Sequence, residues 1–136
     1  MDRSGDRRAE RGSGVVEVAL ALTVFILLTA GVIDMARAMM AYSTLTHAAA
    51  KAARYASVRS SQSEYPASNG QIETQALNAA VGLFEENLTV DTDWSPTNSP
   101  GSTVQVTLSY NFEPVVPLIP HDLIVLRGSS RMTVSH

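Results

Sequence analysis

The sequence predicts an α+β fold, with a long N-terminal helix that is transmembrane in its first half and amphipathic in its second, a short second helix and a small antiparallel sheet of about three strands. Three observations predict it. Ser13 to Ile33 runs 21 residues with a single ionisable side chain, Glu17. Small apolar residues then recur at three- and four-residue steps as far as Tyr55 and Ala56. Beyond that the pattern changes to alternation with period two, over Leu88 to Trp94 and again over Thr103 to Phe112.

The apolar run is long enough to cross a bilayer, since a helix rising about 1.5 Å per residue reaches roughly 31 Å over that length. Gly31 near its end would weaken a water-exposed helix, but glycine is tolerated in membrane helices, where it permits close packing. A buried core helix is the blander reading; a soluble domain this small could hardly cover an all-round apolar helix. The preceding residues, 1–12, carry Arg3, Arg7, Arg8 and Arg11 against Asp2, Asp6 and Glu10, whereas Arg37 is the only basic residue shortly after the span. That bias places the N-terminus inside. A cleaved secretory signal competes through Ala36-Arg37-Ala38, with a mature chain beginning at Met39, but its apolar region is too long and Asp34 and Arg37 are charged where neutral residues are expected.

The division that follows is a basic leader over 1–12, a span over 13–33, a continuing amphipathic helix over 34–60 and a small exported α+β domain over 61–136. One helix is expected from about Ser13 to Arg59. Its second half sets Ala38, Ala41, Tyr42, Leu45, Ala48, Ala49, Ala52, Tyr55 and Ala56 on a narrow face, opposite Ser43, Thr44, His47, Lys51 and Arg54. Ser60 to Gly70 reads as a loop, and Gln71 to Leu83 as a second helix of about three turns with Gly82 near its end. In the strand Thr103 to Phe112 the apolar set Val104, Val106, Leu108 and Tyr110 is expected to face the core. Pro114, Pro117 and Pro120 interrupt pairing, and Leu123 to Leu126 with Arg131 to Val134 supplies a third strand or a bulged pair.

Several chemistries find no support. The formal charge of −3 and mean hydropathy of +0.04 do not mark a nucleic-acid binder. Cysteine is absent, which removes disulfides and thiolate metal ligands. His47, His121 and His136 fall on a helix, a loop and a terminus without a second ligand at metal spacing. Glu85-Glu86 and Asp91 with Asp93 are explained by a solvated helix end and a polar strand face, and Trp94 and Tyr110 by core packing. No phosphate loop or glycine-flanked nucleophilic serine occurs, so no enzyme, cofactor or metal is expected.

Glu17 is the residue that demands an account, because an ionised side chain in a membrane helix costs from about 2.5 kcal/mol upward at the centre. Either it lies shallow enough to reach headgroup water, or it serves a partner. Read as Arg11-Gly12-Ser13-Gly14-Val15-Val16-Glu17, the segment resembles the processing site of type IV prepilins, in which a membrane peptidase cuts after a glycine and a glutamate stands fifth in the mature chain. Cutting between Gly12 and Ser13 puts Glu17 fifth; cutting after Gly14 would put it third.

The wider stretch, from Arg11 to Ser60, resembles the TadE-like proteins, minor pilins of the tight-adherence (Tad, or Flp-type) pilus assembly system. The matching features are Arg11-Gly12, Val16-Glu17 with its apolar run, Gly31 followed by Asp34 and Arg37, Tyr42, and the alanine-rich segment from Ala48 to Ala56. The chain departs at Val18, where phenylalanine is common, and at Val24, near which relatives carry a leucine-proline pair. The resemblance implies a pilin-like, non-catalytic protein of the bacterial inner membrane, with its C-terminal domain exported. It also implies processing at Gly12 and Ser13, Glu17 as an assembly contact, and as partners a prepilin peptidase, other Tad pilins, the inner-membrane assembly platform and membrane lipid. The alternative is a signal-anchored or secreted binding domain without a pilus role, which predicts no cut at Gly12.

Overall fold

A computed structural model of the chain describes residues 4–116 and 124–135, with side chains from Gly14 onward. Helix α1 runs unbroken over Ser4–Ser57, followed by helix α2 over Asn69–Ala79, a 3-10 turn over Glu85–Asn87, and strands β1 (Leu88–Ser95), β2 (Thr103–Asn111) and β3 (Val125–Thr133). The helix thus begins at Ser4 rather than near Ser13. Arginine, alanine and glutamate in this stretch are good helix formers, and a helix already nucleated by the span propagates into them at little cost.

From Gly14 to Ile33 the helix projects away from the domain with its apolar side chains exposed, and this helix is long and apolar enough to cross a membrane. Its C-terminal half lies across one face of the sheet, whose order β1-β2-β3 is antiparallel throughout. Alternation in β2 delivers Val104, Val106, Leu108 and Tyr110 to that face, and all four are buried, as the period-two pattern predicts. Tyr110 belongs to the core and Trp94 packs partly buried against it. Asp91 and Asp93 point outward on β1, and Glu85 and Glu86 are exposed in the 3-10 turn.

Between them the sheet and α2 enclose Ala41, Leu45, Ala48, Ala49, Ala52, Ala53 and Ala56. Tyr42, expected on the packed face, is 55% exposed, and Ala53, outside the expected face, is fully buried. The helix has two partners on different sides, so the buried stripe is wider and turned relative to one drawn for a single partner. Leu45 and Ile72, each wholly buried, contribute about 1.5–3 kcal/mol apiece by leaving water.

Helix α2 starts earlier than its apolar spacing predicts because Ser68 caps it. The Ser68 hydroxyl accepts the Gln71 N–H at 3.3 Å, and the Gln71 carboxamide oxygen accepts the Ser68 N–H at 3.1 Å. It ends at Ala79 and not at Leu83; the chain then turns through Gly82, whose φ of 86° is the left-handed region that glycine enters without steric cost.

The third strand is one continuous element and not a bulged pair. Leu126, Gly128, Ser130 and Met132 face α1 to differing depths, while Arg127, Ser129 and Arg131 point to solvent. Gly128, paired with Leu108, lets α1 approach so closely that a Cβ there would lie 2.6 Å from the Leu45 carbonyl carbon. The Phe112 N–H donates to the Ile124 carbonyl at 2.9 Å, extending the β2–β3 ladder one step past the strands. Pro117, Pro120, His121 and His136 lie outside the described residues, as does Leu123 of the expected third strand.

Candidate functional site

Two regions of α1 carry the residues that the sequence singles out. The first is the N-terminal approach to the span. Gly12 and Ser13 lie within the helical stretch, and Glu17 is exposed on its surface. Glu17 shares a shallow apolar stripe with Leu20, Ala21, Val24, Phe25 and Leu28, positions spaced by three and four residues along one side of the helix. None of the domain covers this stripe, so nothing within the described chain neutralises or solvates the carboxylate.

The second region is where the span meets the domain, and here long-range contacts give Asp34 a role that its local sequence does not reveal. Asp34 is buried, 8% exposed, although it follows directly on the span. Its two carboxylate oxygens accept the backbone N–H groups of Val115 and Val116, each at 2.9 Å. Arg37, one turn on, donates to the same carboxylate at 3.1 Å and to the Glu113 carbonyl at 3.3 Å, with its guanidinium 5.3 Å from the centre of the Phe112 ring. The turn after β2 is thereby pinned to the helix at the end of its apolar run. Asn87 ties the 3-10 turn to the same place by donating to the Glu113 carboxylate at 3.3 Å.

Of these bonds the backbone pair dominates. The Val115 and Val116 N–H groups hold the Asp34 carboxyl below the usual aspartate value of 3.8, with Arg37 adding to the effect and partial burial opposing it. The ion pair alone is weak, since the Arg37 side chain keeps 45% of its surface in water.

A group whose folded-state pKa is depressed stabilises the fold above its unfolded pKa and loses that contribution as pH falls through the folded value. Acid titration followed by Trp94 emission should therefore show Asp34 supporting the junction fully at neutral pH and losing its effect below the ordinary aspartate range. Asp34→Asn should be less stable at pH 7 and should lose less of its remaining stability over that acid window. An unchanged acid profile in the variant would remove the role.

On the other side of Asp34 an apolar groove of about 380 Å³ separates Leu27, Gly31 and Met35 of the helix from Pro114, Val116 and Ile124 of the domain. A smaller recess of about 150 Å³ lies between Arg37, Met40 and the segment Val81–Phe84. Neither gathers groups suited to proton transfer or nucleophilic attack. Among the described residues no cluster of three histidine or acidic side chains could hold a metal ion, and His47 stands alone on the exposed side of α1. The geometry is that of a joint between a long apolar helix and a domain.

A family model described as TadE-like protein matches residues 12–54. Over that segment the chain is similar to the TadE-like family. The match takes in Gly12, Ser13, Glu17, Asp34 and Arg37, and stops before the end of α1. The partners of Asp34 in the domain, Val115 and Val116, fall outside it, so the TadE-like segment supplies one half of the joint and the rest of the chain the other. Searches among curated proteins and among solved structures found no match.

Proposed function

We propose that this TadE-like protein is a minor pilin or pseudopilin, a structural or priming component of Tad (Flp-type) pilus assembly. The observation that carries the reading is the family match over residues 12–54, which coincides with the membrane-capable helix and the acid at its mouth. In this reading residues 1–12 are a cytoplasmic leader and the span crosses the bacterial inner membrane. The domain is exported, and a prepilin peptidase cuts between Gly12 and Ser13. The other partners are Tad pilins and the inner-membrane assembly platform, and the chain acts as a substrate and building block, not as a catalyst.

A peptidase must draw the scissile bond out of the helix, and the local sequence lowers the cost. Gly12 and Gly14 flank Ser13, and each glycine weakens a helix by about 1 kcal/mol relative to alanine. Cutting there removes the four leader arginines and leaves a free amino group four residues before Glu17. A carboxylate supplied by a neighbouring subunit can neutralise that amine where water is scarce.

The deciding experiment is intact-mass and N-terminal determination on the chain produced with and without a co-expressed prepilin peptidase. A peptidase-dependent species beginning at Ser13 is expected. A species beginning at Met39 would establish signal-peptidase export instead, and an uncut chain under both conditions would reduce the protein to a plain membrane anchor.

A further inference from the structure

The exposed apolar side chains outside the span concentrate at one end of the domain. Val81, Phe84 and Val115 are 76%, 66% and 64% exposed, and Met35, Met39 and Met40 on α1 are exposed to a similar degree. Their heights along the helix agree. The Val115 N–H bonds to Asp34, directly after the span, and Val81 and Phe84 border the recess that begins at Arg37 and Met40. All of them thus sit within about two helical turns, roughly 11 Å, of the point where the helix leaves the apolar run. The far end of the domain, where Ser57 accepts the Ser135 N–H, lies about 35 Å further along α1. There the surface is built largely from Ser61, Gln62, Glu64 and Asn98, among which Val58 and Tyr65 are scattered apolar exceptions.

We propose that this near end of the domain rests on the bilayer which α1 crosses, with Val81, Phe84, Val115 and the exposed methionines dipping into the boundary between headgroups and acyl chains of a zwitterionic lipid surface. The inference rests on the reading of the chain as membrane-anchored. Continuity favours lipid over a second copy. The patch comes from three separate chain segments at one height and runs directly into the exposed side chains of the span, which a flat membrane surface meets together.

Charge selects the kind of lipid. Glu85 and Glu86 follow Phe84, Glu113 precedes Val115 by two residues, and the nearby cation Arg37 is paired with Asp34. An anionic surface would repel this rim, whereas a zwitterionic one accepts the apolar tips and leaves the carboxylates among headgroups.

The chain has no cysteine, so single labels can be placed without background. The full chain would carry an environment-sensitive fluorophore at Val115→Cys or Phe84→Cys, with Leu28→Cys in the span and Glu64→Cys at the far end as references. Each would be reconstituted in phosphatidylcholine vesicles with and without brominated acyl chains. The expected result is a blue-shifted emission and loss of intensity to bromolipid at 28, 84 and 115, with 64 quenched only by aqueous iodide. If 28 is quenched by lipid while 84 and 115 respond to iodide alone, the anchor stands and the seat is overturned. Labels at 84 and 115 shielded from both quenchers would point to a second copy of the domain and also overturn it. If 28 itself escapes bromolipid, the membrane reading falls and the seat with it. Replacing phosphatidylcholine by phosphatidylglycerol should reduce lipid quenching at 84, and an increase would refute the zwitterionic surface.

Discussion

Gly128→Ala is expected to lower the melting temperature of the domain by more than about 10 °C, a loss near the upper end of overpacking costs, about 3 kcal/mol. The added methyl carbon would stand 2.6 Å from the Leu45 carbonyl carbon, 2.7 Å from the Thr46 nitrogen and 2.8 Å from the Leu45 Cβ. All three are main-chain or first side-chain atoms, which cannot swing aside as the end of a long side chain would. Restoring ordinary contact distances requires α1 and β3 to separate by about 1 Å. That separation loosens the buried alanines along the same helix, where small side chains leave no slack to be taken up. The backbone of Gly128 does not take a positive φ, so the effect is one of space and not of conformational freedom. Thermal unfolding in detergent, read by the single Trp94, measures it. Gly70→Ala serves as the control: Gly70 lies in α2 with nothing within 4 Å of an added Cβ, and that change should be neutral or stabilising. An unshifted melting temperature for Gly128→Ala would mean that α1 does not cross β3 at this point.

The same glycine shows where reading the sequence succeeds and where it stops. Val104, Val106, Leu108 and Tyr110 announce both their strand and their buried side, because alternation is a local property of the chain. Arg127-Gly128-Ser129-Ser130 has no such alternation of apolar residues, so β3 reads as either one strand or a bulged pair. What makes it one strand is the helix laid against it, which needs Gly128 to be small and leaves Arg127 and Ser129 in water. Tyr42 leaves the expected face and Ala53 joins the core for a related reason, since the helical period locates a face only once its partners are known.

Asp34 is the clearest case. Locally it is a charge after a membrane segment, useful mainly as an argument against a signal-peptidase cut. Its partners Val115 and Val116 are 81 and 82 residues away, and they bond through backbone N–H groups that any residue type would supply. No side-chain signal at 115 or 116 could have revealed the contact. The nearest clue is Pro114, which lies just past the strand, has no N–H of its own to donate, and is followed by N–H groups free of the ladder and available to a carboxylate.

Glu17→Ala should leave the chain inserted and cut, yet reduce its incorporation or priming by roughly a hundredfold. The scale follows from what removal of one member of a desolvated charge pair costs its remaining partner. Among the described residues Glu17 has no partner on its own helix or domain, and it shares its stripe with Leu20, Ala21 and Val24. In the proposed reading a carboxylate kept in such surroundings is destabilising for a lone anchor, and its benefit comes from a neighbouring subunit. Processing after Gly12 would create that other half in every subunit, a terminal amine at the same depth as the carboxylate of its neighbour.

Three substitutions separate charge from shape. Glu17→Gln keeps size and hydrogen bonding but not charge, and should fail nearly as badly as Glu17→Ala. Glu17→Asp keeps the charge on a shorter stem and should retain partial assembly. If the residue merely shaped the helix surface, Glu17→Gln would be tolerated and Glu17→Asp would not. The measurement is the yield of sheared surface pili alongside the mass of the membrane-bound chain, so that a processing defect is not mistaken for an assembly defect. Normal piliation by a correctly cut Glu17→Ala chain would leave Glu17 as a shallow residue solvated by headgroup water, and the assembly contact would have to be sought along the exposed side of α1 that His47 and Lys51 occupy.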